Sequence, residues 1–131
     1  MSAGDEKSEK VSYEAKCHCG AVTYTVKIPS LAHHPVTLCN CSICSTNGYL
    51  LVYPDRKDID FHSGYDQLKS YSFGRQTADH KFCPTCGSSL LIEIKESESA
   101  LPPLAVNVRM FKDIEPDKLN YQRFDGKTKL P

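Results

Sequence analysis

The residues able to do chemistry are cysteines. Seven of them fall into three groups: Cys17 and Cys19 in "CHCG", Cys39, Cys41 and Cys44 in "CNCSIC", and Cys83 and Cys86 in "CPTCG". An odd count, and a charged start "MSAGDEKSEK" without the apolar run of a secretory leader, argue against a disulfide framework and for cation ligands in a reducing compartment. "CPTCG" is the strongest signal. Its glycine permits the left-handed turn that lets backbone N–H groups point back at the two thiolates. In "CHCG" the cysteines stand at i and i+2, so on an extended chain both sulfurs share one face while His18 points away. The two hooks together supply four thiolates, the complement of a closed structural zinc site. Pairing them would close a long loop between residues 17–19 and 83–86, a staple from which a small β domain gains stability.

Cys39, Cys41 and Cys44 remain. Their i, i+2, i+5 spacing lets a strand end and a turn wrap one cation from one side, and the segment then runs into the turn signal Asn47-Gly48. Three protein ligands and one free position is the arrangement of catalytic zinc. Residue type alone leaves two alternatives open. A histidine closes the set (His33 or His34 from the loop just upstream, His62 or His80 from elsewhere), or the trio holds no metal.

The elements that must position these groups read as mostly β. "AVTYTVKI" alternates, with Val22, Tyr24, Val26 and Ile28 on one face and Thr23, Thr25 and Lys27 on the other. Short β-rich runs follow in "PVTLCN", "YLLVYP", "IDFHSG", "LKSYSFG", "HKFC", "SSLLIEI", "LAVNVRMF" and "NYQRF", punctuated by Gly, Pro, Asn and Asp. Turn signals at this interval predict an antiparallel meander or small sandwich. Helix is expected only after Cys44 and around "MFKDIEPDKL", where Pro116 limits its length, and "KESESALPP" is expected to be an exposed hairpin loop. Residues 1–10 read as a solvated tail and 11–131 as a single domain.

Lys plus Arg and Asp plus Glu balance at 16 each, with a pI near 6.9. That balance argues against a general electrostatic grip on nucleic acid or anionic lipid, though it allows a local basic patch. No apolar stretch is long enough to span a bilayer.

"CHCG", "CNCSIC" and "FCPTCGSSL", in this order and with "DFHSGYDQLKSYSFG" between the second and third, resemble the glutathione-dependent formaldehyde-activating enzymes and the related centromere protein V domain. The resemblance runs from about Val11 to the end. It implies a mainly β, antiparallel zinc fold called a β-tent, and a carbon–sulfur lyase working with glutathione as its small-molecule thiol. By position it implies two zinc ions: a structural one on Cys17, Cys19, Cys83 and Cys86, and a substrate-side one on Cys39, Cys41 and Cys44, which would then be the catalytic residues. Three thiolates already place three negative charges on that ion. Such a centre favours delivery of a bound thiolate over polarisation of a carbonyl. "CNCSIC" with "NGYLLVYP" looks closer to the centromere-protein-V-like branch, which implies an alternative: a non-catalytic zinc module binding a protein partner. The expected location is cytoplasmic, with the nucleus as a second compartment.

Glutathione is anionic, so Lys69, Arg75, Lys81 and Arg109 are candidate cations for it. Tyr49, Tyr71 and Phe73 read as core or pocket wall, Ser88 and Ser89 as the turn and strand start after the last knuckle, and His62 and His80 as candidate proton carriers.

Overall fold

The structure, a computed structural model, describes residues 9–74, 76–95 and 103–129. Among the described residues, ten strands form two sheets. The smaller sheet holds β1 (Lys10–Lys16), β2 (Thr23–Pro29) and β5 (Ile59–Ser63), with β2 in the middle. The larger contains β3 (Val36–Cys39), β4 (Leu51–Val52), β6 (Lys69–Tyr71), β7 (Ala78–Phe82), β8 (Ser89–Ile94), β9 (Leu104–Asn107) and β10 (Tyr121–Phe124). Its order is β10-β3-β4-β9-β8-β7-β6. Every pair is antiparallel except β3 with β10, which runs parallel.

The alternation in β2 sets the main core. Val22, Tyr24, Val26 and Ile28 are all buried, and they pack in one cluster with Val36, Val52, Leu91, Val106 and Phe111. In β8, Leu90, Leu91 and Ile92 are buried in succession. Leu91 turns into the main core, whereas Ile92 joins Leu51, Ala105, Tyr49 and Cys44 in a second, smaller cluster on the other face. The two clusters divide the cysteines. Cys17 and Cys83 lie in the main core, and Cys44 belongs to the smaller one with Cys39 and Cys41 packed against it.

Among the described residues, helix is confined to α1 (Ser42–Asn47), α2 (Gly126–Lys129) and single 3-10 turns; "MFKDIEPDKL" yields only the last residue of the turn Val108–Met110 and the turn Pro116–Lys118. The proline at its start explains the brevity. Strand β1 was not among the runs read from the sequence, since "KVSYEAK" is exposed along most of its length and carries little apolar alternation. Most of "KESESALPP" lies outside the described residues. No helix among them is long and apolar enough to cross a membrane.

One glycine bears on the site directly. Gly64, at φ 84°, follows β5 where it meets the loop between β1 and β2, and a Cβ there would overlap the Ala21 carbonyl oxygen. The close approach lets β5 seal the loop carrying Cys17 and Cys19.

Candidate metal centres

The loop after β1 and the loop between β7 and β8 bring Cys17, Cys19, Cys83 and Cys86 together, with all four Sγ atoms within 4.8 Å of one another. Cys17 to Cys19 and Cys19 to Cys83 are both 3.7 Å. A tetrahedral zinc with sulfur ligands at about 2.3 Å has edges of about 3.8 Å between sulfurs, whereas a disulfide needs about 2.05 Å. The four thiols therefore fit a cation and not a pair of disulfides. Because β1 is in one sheet and β7 and β8 in the other, a cation here would cross-link the two sheets.

Both loops are built to hold negative charge. Gly20 and Gly87 adopt the left-handed conformation, at φ 84° and 78°. The Gly20 N–H donates to the Cys17 carbonyl at 3.1 Å and the Gly87 N–H to the Cys83 carbonyl at 2.8 Å. The Val22 N–H donates to Cys17 Sγ at 3.3 Å. Ser88 ties the two loops together, its Oγ accepting from the His18 N–H at 3.1 Å and lying 3.2 Å from Cys86 Sγ. The Ser88 hydroxyl, then the backbone N–H groups of Cys19 and Ser88, pull the Cys86 thiol down to about 5. The N–H groups of Cys86 and Thr85 lower Cys83 against the opposing effect of burial. Cys19 moves the other way. The Ala21 N–H pulls it down, but burial and the neighbouring thiols Cys17, Cys83 and Cys86 outweigh that and push it up to about 11. Four sulfurs in contact cannot all be anionic until a cation joins them.

The second set is assembled from one continuous segment. β3 ends at Cys39, Cys41 is the extended N-cap residue of α1, and Cys44 lies within that helix. The helix expected after Cys44 thus begins before it. Asn47-Gly48 is its end rather than a free turn: Gly48 adopts φ 66° and its N–H donates to the Cys44 carbonyl at 2.9 Å. The three Sγ atoms lie within 4.8 Å of one another, and the Cys41 N–H points to Cys39 Sγ at 3.5 Å. Among the described residues no histidine, carboxylate or further cysteine joins them at that range.

Electrostatically the trio differs from the four-cysteine set. Burial, then the adjoining thiols Cys41 and Cys39, push Cys44 above the ordinary thiol range. Burial also raises Cys39, with the Cys41 N–H opposing. Two tyrosines that sequence reading did not place beside these thiols border them. Tyr49 packs in the same cluster as Cys44. Tyr53 is raised by burial, lowered by a hydrogen bond with Thr37 and raised again by Cys44, Cys39 and Cys41. No motif links a tyrosine to a cluster ten residues upstream.

The candidate histidines separate clearly. His33 and His34 donate their N–H groups to the Ser30 carbonyl in the turn after β2. His62, on β5, is 2.7 Å from Thr25 Oγ1 and 3.8 Å from Asp60. His80 alone approaches the trio's surroundings: its Nδ1 is 3.1 Å from Tyr49 Oη, it is buried, and burial holds it below its ordinary value. Of the candidate cations, Arg109 reaches α1, donating from Nε to the Gly48 carbonyl at 2.6 Å. Lys81 sits 3.9 Å from Glu93 and over the Tyr65 ring, Lys69 lies on the exposed β6, and Arg75 is outside the described residues. Beside α1 opens a groove of about 450 Å³ lined by Ser42, Ile43, Thr46 and Asn47 from the helix and by Tyr71, Phe73, His80, Phe82 and Ser89 from the sheet and the turn after β6.

Over residues 12–123 the chain matches the family model described as glutathione-dependent formaldehyde-activating enzyme. The crystal structure of a Rhodobacter sphaeroides protein is similar in fold, with a TM-score of 0.70 at 28% identity, covering 84% of this chain and 97% of that one.

Proposed function

The chain belongs to the glutathione-dependent formaldehyde-activating enzyme family, and we propose on that premise that it is a zinc-dependent carbon–sulfur lyase acting on a glutathione adduct, forming or cleaving S-hydroxymethylglutathione. One zinc is structural, on Cys17, Cys19, Cys83 and Cys86, in a β-tent fold. A second is held by Cys39, Cys41 and Cys44, the catalytic set. The observation that carries this reading is the three-sulfur group with no fourth His, Cys, Asp or Glu among the described residues. The alternative, a non-catalytic zinc module that binds a protein partner, calls for a trio closed by a fourth ligand or dispensable altogether, with one tightly held zinc per chain. Cysteine ligand sets free of disulfides fit a reducing compartment, the cytoplasm with the nucleus as a second.

In the reaction the thiol sulfur bonds to the carbonyl carbon, the carbon–oxygen π bond opens, and the thiol proton ends on oxygen; the reverse breaks the C–S bond. Cys39, Cys41 and Cys44 would hold the zinc, which would supply acidification of a thiol so that its nucleophilic form is abundant near neutral pH. The protein's own groups do the rest. Raised by burial, Cys39 and Cys44 keep their protons until a cation displaces them, so filling the trio releases protons. Arg109, anchored on Gly48 through Nε, has further N–H donors for a glutathione carboxylate. Tyr49 Oη and His80 Nδ1 hold a shared proton beside the Cys44 cluster and can pass it towards the groove.

The test is two-dimensional exchange NMR of formaldehyde and glutathione. Adding the zinc-loaded protein should accelerate exchange between free and sulfur-bound carbon by about a hundredfold or more, and chelation should abolish the effect. An exchange rate indifferent to the protein would overturn the lyase reading.

A further inference from the structure

The groove beside α1 has two unlike walls. One is an edge of the helix, the polar Ser42, Thr46 and Asn47 with the apolar Ile43 among them. The other is a file of stacked rings. Tyr71 and Phe73 have centroids 5.7 Å apart at 23°, Phe73 and His80 are 5.7 Å apart at 28°, and His80 and Tyr49 are 5.9 Å apart at 23°. The file runs from surface to interior. Tyr71 and Phe73 are 51% and 43% exposed, His80 and Tyr49 only 7% and 2%. Strand pairing enforces the arrangement, since Tyr71 on β6 is the register partner of His80 on β7. The inner end, Tyr49, packs in the cluster that contains Cys44. A single six-residue helix, about 9 Å long, therefore carries Cys44 of the thiol trio and Ser42, Ile43, Thr46 and Asn47 of the groove lining.

A hydroxymethyl group has no use for such a wall. It is one carbon and a hydroxyl, and glutathione itself has no ring. Half-exposed aromatic rings in a groove of about 450 Å³, a volume usual for small-molecule sites, offer offset-stacked and edge-to-face contacts to a planar apolar group. The described residues of the lining include no Lys, Arg, Asp or Glu, so the groove matches a neutral group better than the two carboxylates of the tripeptide.

We infer that the groove is the electrophile's subsite and that the physiological electrophile is an aromatic aldehyde, whose ring stacks on Phe73 and Tyr71 while its carbonyl carbon is joined to the thiol at the cysteine trio. The inference rests on the thiol-adduct reading above and deepens it. The step balances as RSH + ArCHO ⇌ RS–CH(OH)Ar: sulfur bonds to carbon, the carbon–oxygen π bond opens, and the thiol proton ends on oxygen, with no external oxidant or reductant.

Isothermal titration of the zinc-loaded protein with S-benzylglutathione and S-methylglutathione, inert stand-ins for the aryl and one-carbon adducts, tests it. The benzyl ligand should bind about tenfold tighter than the methyl one. In Phe73→Ala, whose exposed ring makes a folding defect avoidable and whose near-ultraviolet dichroism checks for one, the ratio should fall to about twofold or less. Equal binding of the two ligands by the unaltered protein, or an undiminished ratio in Phe73→Ala, overturns the aromatic subsite while leaving the glutathione reading standing. Failure to bind either ligand or glutathione itself overturns both.

Discussion

Cys83→Ser is expected to unfold the domain or to lower its stability by about 5 kcal/mol or more, measured by denaturant titration with metal content followed in parallel. Cys83 is 1% exposed and belongs to the main core, so its sulfur has no solvent to turn to. It is also one of the contacts between the two cysteine loops, 3.7 Å from Cys19 at a sequence separation of 64 residues. Serine is close to cysteine in size, so little of the loss would come from packing. It would come from removing one of four ligands whose cation is part of the folded state, and from leaving a buried hydroxyl among sulfurs.

Cys41→Ser is expected to do the reverse: to leave stability within about 1 kcal/mol of the unaltered protein and return carbonyl–thiol exchange to its uncatalysed rate. Cys41 is half-buried and is the N-cap of α1, where it makes no side-chain capping bond. Serine is among the best N-caps, so the helix loses nothing and gains a capping oxygen. What is lost is one of three thiolates for the second cation. Exchange NMR and thermal denaturation of the same preparation check both halves. Should Cys41→Ser prove as destabilising as Cys83→Ser, the division between a structural and a catalytic set would fail.

Much of this was legible in the sequence, for local reasons. A thiol's chemistry needs no fold to be recognised, and the Cys-Gly hooks encode their own turns, so the partition of seven cysteines into four and three reappears in the grouped sulfurs. The alternation of β2 was equally direct, because a strand with one buried face writes its burial at period two. What the sequence hid is what strand register creates. Tyr71 meets His80 only through the pairing between β6 and β7. The parallel β3–β10 pair, joining Val36 to Tyr121, and the mostly exposed β1 leave no periodic trace. Helix α1 was misplaced by a few residues because its N-cap is a cysteine, outside the usual Ser, Thr, Asp and Asn signals.

The division of labour between the two cysteine sets can be read in one titration, glutathione into cobalt-substituted protein, followed through the sulfur-to-cobalt charge-transfer band. A four-sulfur centre has no place for another ligand, and a three-sulfur centre has one. The account predicts that glutathione alters the band of one of two cobalt ions and that Cys41→Ser protein shows no such change. A band unmoved by saturating glutathione, or a change that persists in Cys41→Ser, would contradict it.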